Sequence, residues 1–206
     1  MKIKSFTIVE LIFSISLITI AISTFNFKNH INKLHLAKKQ LLLHLRYARY
    51  IAMLDNFYDK NDPLWFRKRW RVKFLRCDKK IGGIYYVIYS DSNKNGHISK
   101  EETLKDPLTN NYIYSYQCHQ DTIYDKSNFV LLTQQYDITD IKISCNDTTS
   151  LGQIIFGNNG NIFTKLSTKE YQSSKYTLKN NCFITLIDKN NNQETITITP
   201  TTGYIF

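Results

Sequence analysis

Between Phe6 and Phe25 the chain has 20 residues and one charge, Glu10. At about 1.5 Å of rise per residue, a helix of that length spans about 30 Å, the thickness of a bilayer's hydrocarbon core. A carboxylate in so apolar a helix is costly without a counter-charge, so Glu10 calls for a cation from a partner. Ahead of the run stands a short basic segment, Met1-Lys2-Ile3-Lys4-Ser5. A secretory signal peptide would instead have a shorter apolar core closed by a small-x-small cleavage site, which Ala21-Ile22-Ser23 imitates poorly. A plain membrane anchor is the other alternative. Flanking charge assigns no orientation, because Lys2 and Lys4 on one side face Lys28, Lys33, Lys38 and Lys39 on the other.

The basic leader, the small Ser5, and then Phe6-Thr7-Ile8-Val9-Glu10-Leu11-Ile12, with Glu fifth from Phe6, resemble the class III signal of type IV prepilins and type II secretion pseudopilins. The resemblance implies a prepilin peptidase that cuts between Ser5 and Phe6 and N-methylates Phe6. Ser5 stands where the family usually has Gly. The resemblance also implies a single-pass inner-membrane protein whose C-terminal domain faces the periplasm and then joins a periplasmic filament. There Glu10 is an assembly residue, its carboxylate pairing with the Phe6 ammonium of a neighbouring subunit so that both desolvated charges are compensated.

Size and charge bound the rest. The 206 residues, less a leader and an anchor, leave room for one soluble domain with its own core. The net charge of +10 becomes +8 without Lys2 and Lys4, from 25 basic and 17 acidic residues, a balance that suits anionic partners such as DNA or a phospholipid surface. Cys77, Cys118, Cys145 and Cys182 are widely spaced with no Cys-x-x-Cys, which argues against zinc or a thioredoxin-like site. In an oxidising compartment they allow two disulfides; of the three connectivities Cys77 with Cys118 and Cys145 with Cys182 is favoured, and four buried thiols is the alternative.

Apolar residues recur at steps of three and four through Ile31, Leu34, Ala37, Leu41, Leu45, Ala48 and Ala52, and no Gly or Pro occurs before Pro63. One long helix is expected, its first half (6–27) in the membrane and its second, amphipathic half (28–62) packed on the soluble domain, after a leader at 1–5. From 63 to 206 the chain is rich in β-branched and aromatic residues. Strands are expected at Trp70–Cys77, Ile84–Tyr89, Tyr112–Cys118, Phe129–Leu132, Ile138–Cys145, Ile154–Phe156, Cys182–Ile187 and Thr195–Thr199. The expected class is α+β and pilin-like: a long N-terminal helix on an antiparallel sheet.

Asp91-Ser92-Asn93-Lys94-Asn95-Gly96-His97-Ile98-Ser99-Lys100-Glu101-Glu102 fits a twelve-position calcium loop. Oxygen ligands fall at Asp91, Asn93, Asn95, the His97 carbonyl, Ser99 through water and Glu102, with Gly96 at the sharp turn. Only Asp91 and Glu102 bring charge, so a Ca2+ affinity of about 10⁻⁴ to 10⁻³ M is expected. The preceding strand makes the setting unlike an EF-hand, and a metal-free loop joining two strands is the alternative. This segment, Leu45-Arg46-Tyr47-Ala48-Arg49, Ile154-Ile155-Phe156-Gly157 to Gly160, and the tail Thr199 to Ile205 resemble minor pseudopilins of the H type and FimT-like minor pilins.

A basic cluster, Arg67, Lys68, Arg69, Arg71, Lys73 and Arg76, is interleaved with Trp65, Phe66, Trp70 and Phe74. As a strand from Arg69, it sets Arg69, Arg71 and Lys73 on one face, a candidate grip on DNA phosphates whose affinity would fall steeply with salt. The alternative is the solvated face of an ordinary strand. No Gly-x-Ser-x-Gly, His-Glu-x-x-His or phosphate-cradling loop occurs, so the chain reads as non-enzymatic. The resemblance implies a minor or tip subunit of a type II secretion or type IV pilus-like filament, with sister pseudopilins, the prepilin peptidase, an assembly platform and its ATPase as partners and exoproteins as cargo. Two alternatives are a competence pseudopilin that takes up DNA and a membrane-tethered calcium-binding adhesive domain.

Overall fold

In the computed structural model, which describes residues 7–24, 32–119 and 125–206, the helical periodicity resolves into two helices, α1 (Ile8–Thr24) and α2 (Lys33–Leu54). α2 has its own beginning. Asn32 is extended, with φ −70° and ψ 93°, and its side chain accepts a hydrogen bond from the His35 N–H, an N-cap that starts a new helix. The expected single long N-terminal helix on a sheet is therefore corrected, and α2 ends at Leu54 rather than near residue 62.

The membrane anchor is corrected as well. α1 has 17 residues, about 26 Å of rise against the roughly 30 Å of a hydrocarbon core. α2 has 22 residues but carries Lys33, Lys38, Lys39, Arg46 and Arg49. No helix among the described residues is long and apolar enough to cross a membrane, so a single-pass inner-membrane location is not supported.

The chain divides into two units, Met1–Ile31 and Asn32–Phe206. In the first, the described side chains from Thr7 to Ala21 are exposed except for half-buried Ser14. In the second, α2 buries Leu34, Ala37, Leu41, His44, Leu45, Ala48 and Ala52, a stripe at steps of three and four that forms one wall of the core.

Two antiparallel sheets meet this wall. β1 (Arg71–Arg76), β2 (Ile84–Tyr89), β4 (Gln153–Phe156) and β5 (Ile162–Phe163) form one in the order β2-β1-β4-β5. β3 (Ile138–Ile143), β6 (Cys182–Asp188) and β7 (Gln193–Ile198) form the other in the order β3-β6-β7. The α+β class with antiparallel sheets thus holds. The β6–β7 hairpin has clean alternation: Ile184 pairs with Ile196 on the buried face, while the hydroxyls of Thr185 and Thr195 meet at 3.1 Å on the other. Its turn is tied by Asp188, whose carboxylate accepts the N–H groups of Asn190 and Asn192.

β2 is buried at all six positions, without alternation. Tyr86 faces α2, bonding His44 through its hydroxyl. Tyr85 and Tyr89 face the other way; the first bonds the Gln117 backbone and the second lies under the Arg71 guanidinium. The segment from Leu104 to Cys118 closes that side. It forms only isolated bridges, Lys105 with Tyr112 and Tyr112 with Lys126, where a strand at Tyr112–Cys118 was expected. Phe129–Leu132 lies in a 3-10 turn (Asn128–Val130) and at the start of α3 (Leu132–Tyr136), not in a strand. The disulfides are Cys77–Cys118 and Cys145–Cys182, each with its Cα atoms 5.3 Å apart. The first pins the closing segment to the end of β1, and the second ties the end of β3 to β6.

Candidate functional site

The start of α1 is built by Thr7 and Glu10. The Thr7 N–H and hydroxyl each donate to the Glu10 carboxylate at 3.0 Å, and the Glu10 N–H donates to the Thr7 hydroxyl at 3.4 Å. This reciprocal pair is a capping box. Its signature, Thr-x-x-Glu before an apolar run, stands in the sequence. Glu10 therefore has a local role in starting the helix, and its carboxylate remains exposed with no cation beside it among the described residues. Ser5 and Phe6, the expected cleavage pair, lie outside the described residues, as do residues 1–4.

The Asp91–Glu102 loop curls around its own side chains. Gly96 donates its N–H to the Asp91 carboxylate at 3.2 Å, from a backbone at φ 81° that suits glycine. Asn93 accepts from the Asn95 N–H at 2.9 Å and Asn95 from the His97 N–H at 2.7 Å. The Glu102 carboxylate closes the ring, accepting from the Ser92 hydroxyl at 2.8 Å, the Asn93 N–H at 3.3 Å and the Ser99 hydroxyl at 3.0 Å. Burial raises the Glu102 pKa, but these donors outweigh it and hold the group below its ordinary value. The structure thus brings Asp91, Asn93, Asn95, Ser99 and Glu102 into one loop. It also brings cations there: guanidinium nitrogens of Arg71 and Arg67 lie 3.8 and 3.9 Å from the buried Asp91 carboxylate. A calcium ion would have Asp91, Glu102 and amide oxygens to bind, and it would compete with both guanidiniums. Among the described residues no group of three or more His, Cys, Asp and Glu side chains is placed to hold a metal.

The basic cluster does not form one exposed row. Arg69 is buried between Trp65 and Phe163, its guanidinium carbon 4.9 and 4.0 Å from their ring centroids, and it donates to the Ser173 carbonyl. No carboxylate offsets the burial, which pushes its pKa down to about 10. Arg71 is buried over Tyr89 and donates to the Arg67 carbonyl. Lys68 lies 3.4 Å from Asp62. Lys73 is half-buried, its pKa lowered by burial and by Arg71. Of the six, Arg76 alone is exposed, 3.7 Å from Asp140. Cation–π contacts and carbonyls give these residues internal work.

Sequence reasoning missed a polar cluster inside the core. His44 on α2 is fully buried; its Nδ1 shares a hydrogen bond with the Tyr86 hydroxyl at 2.7 Å, and its Nε2 lies 2.9 Å from the Gln40 side-chain amide and 3.3 Å from the Asp106 carboxylate. Asp106 also accepts from the Ser127 hydroxyl at 3.1 Å and the Leu108 N–H at 2.8 Å. Burial lowers the His44 pKa, against the pull of Asp106. Burial and Asp106 push Tyr136 up to about 12. The one available signal was His44 at a core-facing step of the α2 stripe. The cluster is sealed from solvent and joins α2, β2 and the closing segment.

No protein-family model, curated protein or solved structure matches this chain.

Proposed function

We propose that this protein is a non-enzymatic, pilin-like subunit of a type II secretion or type IV pilus-like filament, a minor or tip subunit that assembles through α1. The observation that carries the reading is α1 itself: apolar residues on every side, exposed from Ile8 to Ala21 except at half-buried Ser14, and the single charge of Glu10. A helix apolar on every side is stable in water only when other elements cover it. Neighbouring subunits supply that cover, and a neighbour's Phe6 amine supplies a cation to Glu10, which has none beside it among the described residues. The globular unit then forms the outer surface.

The test separates charge from capping. Glu10→Gln keeps a side chain able to serve in the capping box but removes the charge. Thr7→Ala removes the cap and keeps the charge. With sister subunits present, Glu10→Gln abolishes filament incorporation while Thr7→Ala leaves most of it. If Glu10→Gln incorporates normally, the reading is wrong.

A further inference from the structure

Asn-Gly occurs twice in the chain, at Asn95-Gly96 and Asn159-Gly160. Glycine has no side chain to crowd its own nitrogen, so in this pair that nitrogen can approach the Asn side-chain carbon and close a succinimide ring. The two sites share a frame. Gly96 and Gly160 have φ 81° and 85°, and both Asn residues are exposed. Each Asn side chain accepts the N–H two residues on, Asn95 from His97 at 2.7 Å and Asn159 from Asn161 at 3.3 Å.

The sites differ in what holds the glycine N–H. Gly160 donates to the Gly157 carbonyl at 3.1 Å, a group that does not take up a proton. Gly96 donates to the Asp91 carboxylate, 3.2 Å from one oxygen and 3.4 Å from the other. Asp91 is 1% exposed, and guanidinium nitrogens of Arg71 and Arg67 lie 3.8 and 3.9 Å from its carboxylate. A buried carboxylate on the N–H of an attacking nitrogen is in place to remove its proton. The His97 N–H already lies on Asn95 Oδ1, where negative charge develops as the nitrogen adds, the position of an oxyanion-hole donor. Base, nucleophile, electrophile and oxyanion donor all come from the seven-residue stretch 91–97.

We propose that Asn95 is a self-modifying site, where the Asp91 carboxylate acts as general base for attack by the Gly96 nitrogen. The bond from Gly96 N to Asn95 Cγ forms as the N–H proton passes to Asp91. The Cγ–Nδ2 bond then breaks, and the proton leaves with the amide nitrogen as ammonia. Water opens the succinimide on either side, leaving aspartate or isoaspartate at position 95. The net change is one side-chain amide and one water converted to one carboxylic acid and ammonia. Either product adds a third carboxylate to the loop that holds Asp91 and Glu102 and takes the chain from +10 to +9. The loop therefore changes its charge with the age of the protein, without another enzyme.

The full chain is incubated at neutral pH, folded and in parallel in urea, and conversion at both sites is followed by peptide mass spectrometry with isotopically labelled solvent oxygen. Folded, Asn95 should convert at least about tenfold faster than Asn159 and faster than it does itself in urea. In urea, where the loop geometry is lost, the two sites should convert within about threefold of each other. Asp91→Asn keeps an oxygen acceptor and removes the base, so it should slow Asn95 about tenfold or more and leave Asn159 unchanged. Folded rates at the two sites within about threefold of each other, or an Asn95 rate no higher folded than in urea, overturn the proposal. So does an Asp91→Asn chain that keeps the parent's Asn159 rate and converts Asn95 as fast as the parent. An Asp91→Asn chain that fails to fold shows its Asn159 rate at the urea value, and the parent's comparison of folded with unfolded chain then decides.

Discussion

Replacing His44 by Leu probes the polar cluster that joins α2 to β2 through the core. The substitution leaves the fully buried Tyr86 hydroxyl without its hydrogen-bond partner His44, which costs about 1–3 kcal/mol. Asp106 loses one of three partners but keeps Ser127 and Leu108. Added apolar burial offsets part of this, for a net destabilisation of about 1–2 kcal/mol at pH 7. Urea unfolding followed by tryptophan fluorescence measures it. Adding Tyr86→Phe removes the orphaned hydroxyl, so the double variant should be more stable than the sum of the single effects by at least about 1 kcal/mol. The pH dependence is a second check. Burial holds the folded pKa of His44 below the ordinary histidine value of 6.5, so the folded protein binds fewer protons than the unfolded chain. The contribution of His44 is therefore complete above pH 6.5 and is lost as pH falls toward the folded pKa, by up to about 1.4 kcal/mol per pH unit. His44→Leu should lack this limb. A variant within about 0.5 kcal/mol of the parent, or one with the same slope between about pH 7 and 5, would refute the reasoning.

The two disulfides span 41 and 37 residues, so each is expected to contribute about 4 kcal/mol by restricting the unfolded chain. Cys145→Ser with Cys182→Ser should lower the unfolding free energy by that amount, and an unchanged urea midpoint would contradict it. Calcium at about 1 mM should raise Tm by only about 1 °C for a dissociation constant near 10⁻³ M. Arg67→Gln, which removes a competing guanidinium beside Asp91, should enlarge that rise. Calorimetry with no rise in either protein rules out metal binding by this loop.

Legibility followed how far each residue's role could be read from its neighbours in the chain. β2 begins and ends where its β-branched and aromatic run does, and the alternation of Thr195 to Thr199 marked a real hairpin strand. Where the apolar pattern was short, periodicity could not separate helix from strand, and Phe129–Leu132 became a turn leading into α3. The break before α2 hung on one Asn acting as a cap, which a pattern of apolar steps passes over. At the candidate site, the loop from Asp91 to Glu102 was visible because its turn chemistry is local. The fate of the basic cluster was not, because beyond the local Trp65 ring and Arg67 carbonyl, Arg69 and Arg71 are buried by rings on β5 and β2 and by the Ser173 carbonyl, all distant in sequence. The same holds for His44, whose partners come from β2 and from Asp106.

The filament reading depends first on how the chain begins in the cell that makes it. Intact-mass and N-terminal peptide analysis of the protein recovered from that cell measures this directly. The account predicts a chain that starts at N-methylated Phe6, without Met1-Lys2-Ile3-Lys4-Ser5. Assembled protein that retains those five residues would contradict it.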